Sequence, residues 1–169
     1  PATIALLIAS NLIVSALFGY GSFSETSVEN SAQALFYFAF GLPAFSLIKV
    51  FSSFFFARHD TKTPFYISLV SVLLNILISV LLFQKVGFII IPIATSISSW
   101  FNAIFLYIFS KKKDFFVFND IFIYRFPRIL ISSLIMGLIF YFLLNLLSEK
   151  LIYSENLKFI YLLLSIFVA

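Results

Sequence analysis

The stretch KVFSSFFFARHDTKTPF, Lys49 to Phe65, sets one lysine inside a phenylalanine-rich run that closes on a knot of charges and Thr-Pro. A soluble core would not bury that lysine, and a water-facing surface would not carry so many rings. Both are accommodated by a membrane-spanning helix ending at Phe56, a charged turn in water, and a second helix opening at Pro64. Lys49 then lies roughly 10 Å along the axis from the end of the first helix. Its stem is long enough to carry the ammonium to the headgroups, and the alternative is a wet cavity beside it. Thr63 is expected to cap the second helix, with Pro64 in its first turn.

The rest of the chain supports a membrane reading. Hydrophobic residues make up 62% and charged residues 11% of the sequence, against roughly 45–50% and about 25% in soluble domains. Mean hydropathy is +1.11. Six apolar segments recur: Ala2–Leu17, Ala32–Phe56, Pro64–Phe83, Phe88–Phe109, Pro127–Leu147 and Phe159–Ala169. About 20 residues of helix cross the roughly 30 Å of hydrocarbon, and an open strand would leave its backbone unpaired there. Recurrence excludes a single signal peptide. The expected fold is therefore all-α, a polytopic helical bundle. The last segment has 11 residues, a rise of about 16 Å, and Pro1 opens almost directly into apolar sequence; a fragment of a longer protein is expected.

Basic residues fall unevenly between alternate connections. Arg58 and Lys62 lie between the second and third segments, and Lys111, Lys112, Lys113, Arg125 and Arg128 between or beside the fourth and fifth. The other connections hold only Lys85, Lys150 and Lys158. The positive-inside rule places the first two connections in the cytoplasm. Between Lys111 and Phe126 basic and aromatic residues mix, as in a segment lying at the headgroups with lysines toward anionic lipid; a linker packed on neighbouring loops is the alternative. The basic balance, a pI near 9.4, thus reads as sidedness, and no nucleic-acid partner is expected.

Cysteine is absent, which removes disulfides, thiolate catalysis and cysteine metal sites. No His, Asp or Glu lies within a span, so acid–base catalysis has no residues to use and no enzyme is expected. His59 has no second ligand, and no metal site follows from it. The polar residues within the spans are few. Asn75 and Ser79 share a helix face at i, i+4, about 16 and 22 Å from the cytoplasmic end, and Thr95 falls near 20 Å. Interhelical hydrogen bonding or a monovalent-cation site made of their oxygens are the two readings. Gly41 and Pro43 mark a hinge or a static kink in the second segment; Pro92 is a tolerated early proline. Arg58 and Asp60 are candidates for a cytoplasmic gate, with a solvated turn as the alternative. Ser133 and Gly137 give a small-xxx-small spacing.

Two stretches, LFGYGSFSETSVENSAQALFYFAFGLPAFSLIKVFSSFFFARHDTKTP (Leu17–Pro64) and ATSISSWFNAIFLY (Ala94–Tyr107), closely resemble the MurJ (MviN) lipid II flippases. The resemblance implies a MATE-like exporter of two lobes and fourteen helices, of which this chain is the last six. Residues 1–109 would supply four helices of the second lobe, 110–126 a basic aromatic cytoplasmic loop, and 127–169 an accessory pair. It implies a bacterial inner-membrane flippase that moves the undecaprenyl-pyrophosphate-linked peptidoglycan precursor outward by alternating access. Lys49 is the candidate to face the substrate cavity and help hold an anionic headgroup, with snorkelling to the headgroups as the other reading. Membrane lipids and the missing N-terminal lobe, which would carry the pyrophosphate-binding arginines, are the implied partners. No cofactor is implied beyond coupling to Na+ or the membrane potential; family members with such an ion carry a carboxylate about where Ser79 stands. Another exporter of the same superfamily, or a non-transporting membrane subunit, is the alternative.

Overall fold

The computed structural model describes residues 1–19, 24–115 and 120–146, and among these every regular element is helical. They are α1 (Ala2–Phe18), α2 (Glu25–Phe56), α3 (Lys62–Val86), a single 3-10 turn (Gly87–Ile89), α4 (Ile90–Lys112) and α5 (Asp120–Leu146). The stretches Glu25–Phe56, Lys62–Lys112 and Tyr124–Leu146 are long and apolar enough to cross a membrane, and Ala2–Phe18 is a shorter apolar helix. The sixth apolar segment, Phe159–Ala169, lies outside the described residues.

Several helices run past the apolar segments that announce them. α2 starts seven residues before Ala32, because Ser24 accepts the Ser27 N–H on its Oγ at 3.2 Å and Glu25 sits in the positive first turn; both features favour a helix start. α4 continues to Lys112 and α5 begins at Asp120 with Pro127 inside it, so helix takes up 110–112 and 120–126 of the expected loop. A proline forfeits one backbone bond without stopping the helix upstream. α2 likewise runs unbroken through Pro43.

The chain divides into two compact units: Pro1–Phe36 with the chain from Asp120 onward, and Tyr37–Asn119. The boundary falls within α2, and α1 groups with α5. In the first unit, Ala9 and Ala16 of α1 bury Phe140 and Leu144 of α5, with Ala5, Ile8, Leu12 and Ile13 packed around them. A Cβ on Gly137 would stand 2.5 Å from the Ile4 side chain, and Ser133 is buried on the same stripe. The small-xxx-small face thus packs on α1. α1 departs from helical angles at Ala9 (φ −111°, ψ 17°). Val14 meets Val28 and Ala32 at the start of α2.

In the second unit α3 and α4 form an antiparallel hairpin, reversed at Gly87, whose φ of +75° suits glycine. Side-chain pairs mark the register: Asn75 meets Thr95 and Ser68 meets Asn102. The lower part of α2 closes on α4 at its small residues. A Cβ on Gly41 would lie 2.9 Å from Ser96 Oγ and 3.3 Å from Ser96 Cα. Ser96 and Trp100, one turn apart, donate to the Tyr37 and Phe40 carbonyls. Phe55, Leu106, Ile67 and Phe51 form the apolar cluster below.

Gly41→Val and Gly137→Val are each expected to lower stability by about 1–3 kcal/mol, the usual cost of overpacking. Gly87 has nothing within 4 Å of an added Cβ, but its φ of 75° and ψ of −155° belong to glycine alone, so Gly87→Ala should cost about 1–3 kcal/mol through backbone strain instead of overpacking. Thermal unfolding of the full-length protein in detergent checks all three.

Candidate functional site

The charged turn that decides the sequence reading is built from local backbone chemistry. α2 ends with the Asp60 N–H bonded to the Phe55 carbonyl and the His59 N–H to the Phe56 carbonyl, the paired bonds of a Schellman motif. His59 occupies its left-handed position at φ 57°. α4 ends in the same way: Phe115 N–H bonds Ser110, Asp114 N–H bonds Lys111, and Asp114 has φ 56°. His59 thus shapes the end of α2 through its backbone.

Asp60, rather than Thr63, caps α3. Its Oδ1 accepts the Thr63 N–H at 3.1 Å, and its Oδ2 accepts the Thr63 hydroxyl at 2.8 Å. Thr61 already has helical angles, and Thr63 sits inside the first turn. Lys113 Nζ donates both to Asp60 Oδ2 and to Thr63 Oγ1, tying the end of α4 to the start of α3. The Lys113 hydrogen bond, aided by those from Thr63, holds the Asp60 carboxyl at about 2, below its ordinary 3.8. Arg58 lies 4.3 Å above the Phe115 ring, which meets Phe55 edge-on at 5.4 Å. The two gate candidates are therefore engaged within their own unit, and a gate contact elsewhere would compete with these bonds.

Lys49 is exposed on α2 and lines a cavity of about 570 Å³ with Ile48, Ser52, Phe56, Thr61, Pro64, Phe65 and Ser68. It makes no ion pair among the described residues. The cavity's lining is amphiphilic, with one ammonium, three hydroxyls and two aromatic rings. It presents Lys49 to a space large enough for a headgroup fragment.

Asn75, Ser79 and Thr95 come together as the spacing predicts. Ser79 Oγ donates to Asn75 Oδ1 at 3.2 Å, Asn75 Nδ2 donates to Thr95 Oγ1 at 3.2 Å, and Thr95 donates to the Ile91 carbonyl at 2.8 Å. The hydroxyl protons of Ser79 and Thr95 are both spent in this network, which joins α3 to α4 by interhelical hydrogen bonding. Gly41 and Pro43, named as hinge positions, sit beside the Ser96 and Trp100 contacts. Sequence reasoning did not find Lys113 as the Asp60 partner, nor Ser68 and Asn102; an asparagine in an apolar span was the available signal for the last.

The lipid II flippase MurJ family model matches residues 1–162. The chain belongs to the MurJ family of lipid II flippases. Relatives described as "Probable lipid II flippase MurJ" include one from Rickettsia prowazekii, 39% identical over 67% of this chain and 22% of its own length. One from Rhizobium meliloti is 36% identical over 83% and 26%, and one from Thermotoga maritima is 40% identical over 63% and 22%. A solved structure, "Lipid II flippase MurJ, inward closed conformation", superposes with a TM-score of 0.76 at 27% identity, covering 99% of this chain and 33% of that one. The chain spans about a quarter of the length of the curated MurJ relatives. It is thus a multi-pass helical membrane protein, and the MurJ family places it in the bacterial inner membrane.

The Asp60 carboxylate stabilises the fold at any pH above its unfolded value near 4, and that contribution is lost as pH falls through about 2. Because Lys113 is 40% exposed, solvent screening reduces the effect to about 1 kcal/mol. Asp60→Asn is expected to lower the unfolding temperature at pH 7 and to converge with the unaltered protein as pH drops from 4 to 2. His59→Gly should raise stability by up to about 1 kcal/mol, by relieving the left-handed strain.

Proposed function

We propose that this chain is the C-terminal part of an inner-membrane flippase that carries the lipid-linked peptidoglycan precursor from the cytoplasmic to the periplasmic leaflet. The observation that carries the reading is the superposition on a lipid II flippase over nearly the whole chain, joined to the family match. An oligosaccharide-lipid or multidrug exporter is not favoured by either.

The physical task is to move a pyrophosphate-bearing headgroup through a medium in which a charge costs at least a few kcal/mol. Alternating access meets it by exposing one polar cavity to each side in turn, while the polyprenyl tail stays in lipid. Lys49 supplies a cation to that cavity, and Phe56 and Phe65 supply an apolar wall beside it. The upstream lobe, the partner of this chain within the same protein, supplies the remaining cations. Each negative charge carried outward down an interior-negative potential gains roughly 2.3 kcal/mol per 100 mV, so the potential alone can drive the step. The alternative drive is a Na+ gradient acting at Asn75, Ser79 and Thr95; serine at position 79 offers an oxygen without a charge. The process requires no cofactor and transforms no covalent bond.

In cells depleted of their own flippase, the full-length protein should restore precursor to the outer leaflet, read as cleavage by an externally added lipid-pyrophosphate hydrolase. Lys49→Arg should retain this activity and Lys49→Glu should lose about tenfold or more, as expected for reversing a charge worth over 1.4 kcal/mol. Unchanged transport by Lys49→Glu would remove Lys49 from the substrate path. Asn75→Ala and Thr95→Ala should abolish any Na+ dependence of transport; if dependence persists in both, the ion acts elsewhere.

A further inference from the structure

One end of the Lys49 cavity is made by the α2–α3 turn. Phe56, Thr61, Pro64 and Phe65 of the lining belong to that turn and its edges, while Ile48, Lys49 and Ser52 come from α2 and Ser68 from α3. Asp60 directly precedes Thr61, so a carboxylate stands one residue from the lining of a space whose ammonium attracts anions. Its position is dictated by the fold. The Asp60 N–H bonds the Phe55 carbonyl, Oδ1 accepts the Thr63 N–H and Oδ2 accepts the Thr63 hydroxyl. With its carboxyl held at about 2, the group is charged at neutral pH.

Left uncovered, that charge would oppose an anion in the adjoining space and favour a cation. The basic residues nearest in sequence do not cover it: Arg58 lies over the Phe115 ring, Lys62 is exposed at the start of α3, and neither pairs with Asp60. Lys113, at the end of α4, does. Its Nζ donates to Asp60 Oδ2 and, at 3.0 Å, to Thr63 Oγ1, and stands 5.9 and 5.8 Å from the Phe55 and Phe115 ring centroids. This is the one ion pair among the described residues. Lys113 does not itself line the cavity, so its influence there passes through Asp60.

We propose that Lys113 sets the anion preference of the Lys49 cavity: as the counter-ion of Asp60 it neutralises the carboxylate beside the cavity and leaves the field of Lys49 to select the guest. The turn thereby keeps the charged cap that joins three helices without turning the adjoining space against anions. Its consequence for transport rests on the reading of that cavity as the headgroup's; the charge balance itself does not, since every residue in it belongs to one unit.

The absence of cysteine from this chain lets a single thiol read the local field. In the full-length protein freed of any other cysteine, Ser52→Cys is treated with an anionic and a cationic thiosulfonate of similar size, and the ratio of the two rates is measured. Lys113→Met is expected to lower the anionic-to-cationic ratio about threefold or more, the scale of one uncovered charge within a Debye length, whereas Lys113→Arg keeps it. Adding Asp60→Asn to Lys113→Met should restore the ratio to within about twofold, because asparagine retains the cap without the charge. A purely structural brace would leave that double variant further impaired. The half-saturating precursor concentration in transport should rise with Lys113→Met and recover in the double variant, with the maximal rate little changed. A ratio that Lys113→Met leaves unaltered, or that Asp60→Asn fails to restore, overturns the proposal; Lys113→Gln reads the same balance should the methionine variant fail to fold. Ratios that shift as expected while half-saturation does not would uphold the proposal and remove this cavity from the headgroup's path.

Discussion

In hydrocarbon a hydroxyl or amide that lacks a partner costs several kcal/mol, and the second unit is arranged by that constraint. Most of its hydroxyls resolve it in one of two ways, Ser110 Oγ being buried without a partner among the described residues. Some turn back on their own helix, as Ser46 does to Leu42, Ser53 to Val50 and Ser71 to Ile67. Others reach across, as Ser96 does to Tyr37, and the second kind fixes which helix lies beside which. Small side chains at Gly41 and Ser96 then let the backbones approach closely enough for dispersion to act. Hydrophobicity alone would not choose among these arrangements, since lipid tails are as apolar as the phenylalanines that face them.

At the water boundary a different chemistry takes over. α2 and α4 close with twin left-handed residues, His59 and Asp114, and between them Asp60, Thr63 and Lys113 make a compact charged knot. The knot is covered by rings, Phe115 lying under Arg58 and against Phe55. Short-range backbone closure, side-chain capping and aromatic packing therefore coincide in the stretch with which the sequence reading starts.

How far the sequence could be read follows from the range of each interaction. Helical class, the meeting of Asn75, Ser79 and Thr95, and the packing face at Ser133 and Gly137 were legible because each depends on rise per residue and spacing. Helix ends were less so: apolar boundaries mark where hydrocarbon stops, whereas α2 begins at a serine cap and α5 continues upstream of Pro127. Thr63 carries a hydroxyl suited to a cap, yet Asp60, three residues upstream, caps the helix by accepting the Thr63 N–H with a charge. Lys113 was unreadable as its partner, since the pairing spans more than fifty residues and depends on how α4 ends. Asn102 and Ser68 escaped notice for the same reason.

The contact at Gly41 also limits how the lower part of α2 can travel. Sliding it along α4 by one turn would bring the Tyr37 or Phe45 side chain where only a hydrogen now fits, and would pull the Tyr37 and Phe40 carbonyls from Ser96 and Trp100. Piston-like displacement of one helix past the other is thereby blocked. This pair is a coupled strut, and whatever rotates one of them carries its neighbour along.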